Sequence, residues 1–226
     1  MAEYGRELAA LYAAITDSSG ARIVVDSSKL PIVAHVLARS GRVDLRVLHL
    51  VRDSRAYAFA ARKEVARPEA PGEFMPRAGP LRCCAEWLAF HHLAATLRGC
   101  SSRYARLSYE DFARDPRRAL DDVLWLFDRI GNGGIVEGGD DDPVLVLRPW
   151  HGVSGNPLRF AVGPVPVRVD DAWRRALPAR ERRFITVLTA PGLLRFGYLT
   201  APFRGARGLR AGRRAAAAAA GNSSSA

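Results

Sequence analysis

Three short segments of the chain combine cations, hydroxyls and glycines in a way that suits an anionic ligand. They are Asp26-Ser27-Ser28-Lys29, Arg52-Asp53-Ser54-Arg55, and "HGVSGNPLRF", which contains His151, Gly155, Asn156 and Arg159. Arginine grips phosphate oxygens through several N–H donors, and a lysine with hydroxyls can hold an anionic group or take a proton. Glycine lets the backbone approach a ligand closely. Together the three segments predict a site for a phosphate-bearing ligand.

Each segment alone also has a purely structural interpretation. Arg52 could pair with a carboxylate at the edge of a sheet, and Asp53 and Ser54 could cap a helix. "DSSK" could be a polar turn before the helix that Pro31 begins, and a Gly-Asn-Pro turn needs no function. The shared preference for anions, rather than any one segment, favours the functional interpretation.

The apolar pattern places two of these segments at the ends of buried strands. We predict strands at residues 22–25 and 44–51 and a third within "RYARLSYEDF". We predict helices at residues 3–15, 31–39, 53–66, 81–97, 116–130 and 170–196, and a flexible linker at 131–142. Continuous apolar strands that alternate with helices indicate an α/β fold whose parallel sheet carries helices on both faces. Ligands bind such sheets beyond the carboxyl ends of the strands, where both polar segments stand.

The net charge of +11 is partly the property of a tail. One domain is predicted over residues 1–200, followed by a disordered, low-complexity tail over 201–226. Five arginines lie in that tail, which leaves about +6 on the rest of the chain. A basic nucleic-acid binder that uses this tail is one hypothesis, although we do not expect nucleic acid as the main partner.

The cysteines and histidines do not predict a metal centre. Cys83, Cys84 and Cys100 are an odd set without metal-ligand spacing, and this predicts a reduced, cytoplasmic location. His91 and His92 are adjacent on a helix and therefore point to different faces. No apolar run approaches the length of about 20 residues that a membrane span needs, so we expect a soluble protein without a membrane partner.

The order of the motifs resembles the sulfotransferase family that uses 3′-phosphoadenosine-5′-phosphosulfate. The matching segments are "IVVDSSKLP", "LRVLHLVRDSRAYAFAARKE", "RLSYEDFARDPRRAL", "HGVSGNPLRF", "DDAWRRAL" and "LTAPGLLRFGY". The resemblance covers residues 21–198 and implies a P-loop-like α/β architecture. It also implies transfer of a sulfuryl group from the nucleotide, as co-substrate, to a hydroxyl or amine of a small molecule or glycan.

The resemblance also implies roles for individual residues. Arg52 matches the arginine that grips the nucleotide's 3′-phosphate, with Arg55 beside it. The loop of Gly155, Asn156 and Arg159 matches the segment that closes over that phosphate. Ser27 and Ser28 match the strand end beside the acceptor, Lys29 matches the catalytic base, and His151 would line the site.

The chain departs from the family pattern at three points. Ala60 stands where a serine normally joins the phosphate contact, and Ser54 stands where the family has a proline. No Gly-rich loop for the 5′-phosphosulfate precedes Ala21, so we expect an architecture that lacks its first strand and phosphate loop, as in a fragment or a chain with a misassigned start. A catalytically inactive nucleotide-binding module is therefore the second hypothesis beside the sulfotransferase.

Overall fold

The computed structural model describes residues 2–67, 70, 72–128, 136–139, 142–147 and 161–199. The helices are α1 (Ala2–Ser19), α2 (Pro31–Ser40), α3 (Ser54–Ala60), α4 (Pro80–Thr96), α5 (Tyr109–Arg114), α6 (Pro116–Leu124), α7 (Trp173–Ala176) and α8 (Ala179–Phe196). The strands are β1 (Arg46–Val51), β2 (Arg103–Ser108), β3 (Val136–Glu137), β4 (Val144–Leu147) and β5 (Gly163–Pro166). The predicted tail from residue 201 lies outside the described residues.

Strands β1 and β2 form a parallel sheet in which Arg46 pairs with Arg103 and Val51 with Ser108. Val51 packs against α4 and α8, whereas Ala105 of β2 lies in a second cluster against α6. Because side chains alternate along a strand, these clusters cover opposite faces of the sheet. The mixed α/β class with helices on both faces of a parallel sheet is confirmed, for a sheet of two strands within the described residues.

The strand predicted at residues 22–25 was wrong. The structure shows irregular backbone there, and the Ile23 and Val25 side chains are 44% and 75% exposed. Among the described residues no strand pairs with this segment, so its apolar run has no sheet to enter. Tyr12 of α1 donates a hydrogen bond to the Asp26 carboxylate, which ties the segment to a helix.

The predicted linker at 131–142 was also wrong in part. Val136–Glu137 forms β3, which pairs antiparallel with β4, and β4 pairs antiparallel with β5. The Val136 side chain is buried, so this stretch contains an anchored strand. Glycines on both sides of this short strand predicted a linker, and two paired residues are too few to give an alternating sequence pattern.

Three predicted helices end or divide earlier than expected. Helix α3 stops at Ala60, because the chain then turns into a loop in which Ala66 bridges to Phe74. After α6 a 3-10 turn ends at Phe127, where Arg46 and Arg103 of the sheet donate to the last carbonyls. The last helical region divides before Pro178, since proline disfavours helical backbone in the residue that precedes it.

No helix within the described ranges is both long and apolar enough to cross a membrane.

A buried polar network lies on the face of the sheet that α4 and α8 cover. His49 of β1 is 4% exposed, and its Nδ1 lies 2.6 Å from the Tyr104 hydroxyl. The His49 Nε2 lies 2.8 Å from His91 Nδ1, and the Phe196 ring packs against both histidine rings in a T-shaped arrangement. A neutral imidazole has one N–H, so His49 donates one of its two hydrogen bonds and accepts the other. His49 is thus a core residue whose two ring nitrogens both have hydrogen-bond partners.

Burial of this network predicts a loss of stability on mild acidification. Burial first, and then the charges of His91, Arg106 and Arg195, lower the pKa of His49 to about 3; burial lowers the pKa of His91 to about 4. Below a pH of about 6.5 the unfolded chain takes up protons that the folded chain does not. The loss of folding stability therefore grows as the pH falls from about 6.5 towards the pKa values of His49 and His91 in the folded chain.

We predict that the free energy of unfolding, measured by urea titration between about pH 7 and 5, falls by at most about 1.4 kcal/mol per pH unit for each buried histidine. His91→Gln keeps an acceptor without a titrating ring and should reduce this slope. His92→Gln, at the exposed neighbouring position, should retain the wild-type slope. A slope that is the same in all three proteins would contradict the assignment.

Candidate functional site

Where the chain leaves β1, three backbone groups contact side chains from distant elements. The Val51 carbonyl lies 3.2 Å from the Tyr198 hydroxyl, whose single proton it shares with Glu110, and the Arg52 carbonyl accepts from Trp87 Nε1 at 2.9 Å. The Asp53 N–H donates to Glu110 Oε1 at 3.2 Å. A buried backbone group without a partner is costly, so these bonds fix the path of the chain where the strand ends.

Glu110 joins the ends of the two parallel strands. It follows β2 as Asp53 follows β1, and its Oε2 accepts from the Tyr198 hydroxyl at 2.7 Å and from Ser108 at 3.3 Å. Burial first, and then the charge of Glu110, raise the pKa of Tyr198, so this phenol stays protonated and donates. Glu110 therefore serves as the acceptor that holds β1, β2 and the segment after α8 together.

Asp53 caps a helix, as the structural interpretation of the sequence expected, whereas Ser54 has a different role. The Asp53 carboxylate caps α3 by accepting from the Arg55 N–H at 2.8 Å. The Ser54 side chain is buried and lies 2.7 Å from the Thr189 hydroxyl. Thr189 uses its own proton on the Ile185 carbonyl, so Ser54 donates to Thr189 and ties α3 to α8.

Arg55 forms an ion pair with the buried Asp53. Its Nη2 lies 2.6 Å from Asp53 Oδ2, and its guanidinium carbon lies 4.9 Å from the centre of the Trp173 ring. Asp53 is 5% exposed in its side chain and carries a charge that needs a partner at that depth. The Arg55 position predicted for ligand binding is thus occupied by an internal ion pair with Asp53.

Arg52 is placed differently, and among the described residues it makes one ion pair. Its guanidinium carbon lies 4.5 Å from the centre of the Tyr109 ring, and its side chain is 25% exposed. Its Nη2 donates to Asp170 Oδ2 at 3.1 Å, while its Nε is buried without a partner among the described residues. Guanidinium offers five N–H donors, and a buried charged donor without an acceptor is costly. Arg52 is therefore the side chain here that an incoming oxyanion would best satisfy.

Asp170 receives a second cation. Lys63 Nζ lies 3.4 Å from the same Oδ2 atom that Arg52 contacts. Burial would raise the pKa of Asp170, but the charge of Lys63 and the hydrogen bond from Arg52 outweigh it and hold the pKa below its usual value. Two cations around one carboxylate leave this cluster of Arg52, Lys63 and Asp170 with a net positive charge, which attracts anions.

A cleft of about 480 Å³ has Asp170 in its wall. A volume of this size lies within the range of small-molecule sites. Its walls carry both signs of charge together with two aromatic rings, and they are formed by Asp53, Arg55, Glu110, Arg114, Val169, Asp170, Asp171, Trp173, Arg174 and Tyr198.

The predicted segment at residues 26–29 lies apart from the cluster of Arg52, Lys63 and Asp170. Ser27, Ser28 and Lys29 are exposed, and the Ser28 N–H donates to Asp26 in a tight turn. Lys29 has a left-handed backbone with φ of 63°, which is uncommon for a residue other than glycine. Within the described ranges no hydrogen bond or ion pair joins this turn to Arg52, so the structure does not bring the two segments into contact.

The third predicted segment, with His151, Gly155, Asn156 and Arg159, lies outside the described residues. The sequence analysis missed five residues that shape the site, namely Lys63, Tyr109, Glu110, Asp170 and Tyr198. A signal was present for Glu110, because "SYED" places a carboxylate directly after a strand, as "VRD" does.

Protein-family models, curated proteins and solved structures were compared with the chain, and none matches it.

We predict that Tyr198→Phe destabilises the fold by about 1.5 to 3 kcal/mol, the usual worth of a hydrogen bond to a charged group. Chemical denaturation measures this change. Tyr57→Phe is the matched control. The Tyr57 hydroxyl lies 3.4 Å from Glu86, which is long for a hydrogen bond, so this contact should contribute little to stability. Equal losses in the two variants would contradict a special role for the bond from Tyr198 to Glu110.

Proposed function

We propose that this chain binds 3′-phosphoadenosine-5′-phosphosulfate and serves in transfer of its sulfuryl group to a hydroxyl or amine acceptor. One observation carries the proposal. Arg52 stands at the carboxyl end of a parallel strand with a buried Nε that has no partner among the described residues, and it shares the Asp170 carboxylate with Lys63. The order of motifs in the sequence supplies the identity of the anion, and the P-loop-like architecture is part of the same proposal.

In this proposal Arg52 receives the 3′-phosphate. Tyr109 holds the guanidinium plane from one side, and Trp87 fixes the backbone at the same residue through its carbonyl. The side chain thus loses little freedom on binding, which favours affinity. A phosphate oxygen at Nε would satisfy the buried donor, and a second oxygen would compete with Asp170 for Nη2.

Sulfuryl transfer would need few covalent roles from the protein. The acceptor oxygen or nitrogen forms a bond to sulfur while the bond from sulfur to the 5′-phosphate oxygen breaks, and the acceptor proton passes to a base. By analogy with phosphoryl transfer, positioning and electrostatic stabilisation supply most of the rate. Lys29 as the base, and Ser27 and Ser28 beside the acceptor, stay predictions.

We predict that Arg52→Ala weakens binding of 3′,5′-adenosine bisphosphate, the product nucleotide, by about 1.5 to 3 kcal/mol. Isothermal titration calorimetry measures the change. Arg62→Ala removes the same charge from an arginine that pairs with Glu181, and should bind like wild type. Equal affinity of Arg52→Ala and wild type would contradict the proposal.

Turnover of the donor nucleotide separates the two parts of the proposal. Formation of a sulfated acceptor that Arg52→Ala slows would support the transferase. Binding of the bisphosphate without any sulfuryl transfer would leave a nucleotide-binding module and overturn the catalytic part.

We predict that Asp170→Asn tightens binding of the same nucleotide. The carboxylate competes with phosphate for Arg52 and Lys63, and a partly exposed ion pair is worth at most about 1 kcal/mol, so the expected gain is up to about fivefold. Asp171→Asn is the matched control, since it removes the same charge one residue away. An equal gain in both variants, or a loss in Asp170→Asn, would contradict direct competition.

A further inference from the structure

A cysteine and a histidine, Cys100 and His35, lie close together between α2 and the end of α4, apart from the Arg52 cluster. Cys100 follows the 3-10 turn Leu97–Gly99 and is exposed. Its Sγ lies 3.7 Å from Nδ1 of His35 on α2, closer than its other acceptor, the Thr96 carbonyl at 3.9 Å. The thiol is therefore in contact with an imidazole at the protein surface.

The hydrogen bonds of His35 decide which ring nitrogen is free to take a proton. Its Nε2 lies 3.0 Å from the Leu93 carbonyl and 3.0 Å from the Thr96 hydroxyl. The carbonyl can only accept, and the Thr96 hydroxyl already donates its proton to the Leu93 carbonyl at 2.8 Å. Nε2 must therefore carry the hydrogen, which leaves the lone pair of the neutral ring on Nδ1, facing the sulfur.

This arrangement has the parts of an activated nucleophile: a thiol, an adjacent base, and a third group that orients the base. The other two cysteines lack them. Cys83 and Cys84 are almost fully buried, and burial raises the pKa of both thiols. Reactivity among the three cysteines should thus be concentrated at Cys100.

We propose that Cys100 and His35 form a thiol-exchange site that takes small disulfides, and this inference does not depend on the nucleotide-binding proposal. His35 Nδ1 accepts the thiol proton as Sγ forms a bond to one sulfur of the disulfide. The bond within that disulfide breaks, and its other sulfur leaves as a thiolate. The product is a mixed disulfide at Cys100, which a free thiol reverses by the same exchange.

The test uses the folded wild-type chain and 5,5′-dithiobis(2-nitrobenzoic acid), with the modified cysteine located by peptide mass mapping. We expect Cys100 to react first, and about tenfold faster at neutral pH than N-acetylcysteine amide, as a positioned base permits. Modification of Cys83 or Cys84 before Cys100, or a rate at Cys100 no higher than that of the model thiol, would overturn the proposal without any variant.

Two variants then assign the effect to His35. His35→Gln keeps an N–H that can donate to the Leu93 carbonyl but supplies no base, and should slow the reaction about tenfold. His92→Gln, an exposed histidine on α4, should react like wild type. An unchanged rate in folded His35→Gln would overturn the role of the imidazole. Glutathione disulfide should give a mixed disulfide at Cys100, and failure to form it would exclude small biological disulfides.

Discussion

The rest of the site depends on how the chain is held where it leaves β1. The backbone groups of Val51, Arg52 and Asp53 lie within hydrogen-bond distance of three side chains, which come from the segment after α8, from α4 and from α5. Buried backbone groups tolerate few alternatives. This constraint fixes the Arg52 backbone and brings Glu110 and Tyr198 to the same place.

The close approach of α4 and α8 makes this constraint possible. Trp87 is 3% exposed and reaches the Arg52 carbonyl while its ring lies against Gly192 of α8. A Cβ at Gly192 would overlap the indole ring, so the helices can come together only because this position has no side chain. Packing between two helices thereby sets the position of the carbonyl next to the candidate anion site.

The two arginines of "VRDSR" have different roles because their surroundings differ. Arg55 neutralises the buried Asp53 through its Nε and Nη2 atoms. Among the described residues Arg52 pairs with one carboxylate, which is partly exposed and is shared with Lys63, so a ligand can replace it at small cost. The difference rests on the depth of the two aspartates, 5% and 34% exposed in their side chains.

The sequence predicted β1, β2 and the place of Arg52 because these follow from local apolar runs and from the residue that ends them. It could not predict the partners, which lie 57 residues away for Asp53 and Glu110, 118 for Arg52 and Asp170, and 147 for Val51 and Tyr198. The error at residues 22–25 has the same origin, since an apolar run becomes a strand only where another strand pairs with it.

A comparison of two nucleotides tests the central claim most directly: calorimetric titration of the wild-type chain with 3′,5′-adenosine bisphosphate and with adenosine 5′-monophosphate. If Arg52 holds a 3′-phosphate, the bisphosphate binds about tenfold or more tightly, as a hydrogen bond to a charged group allows; equal affinities would contradict it.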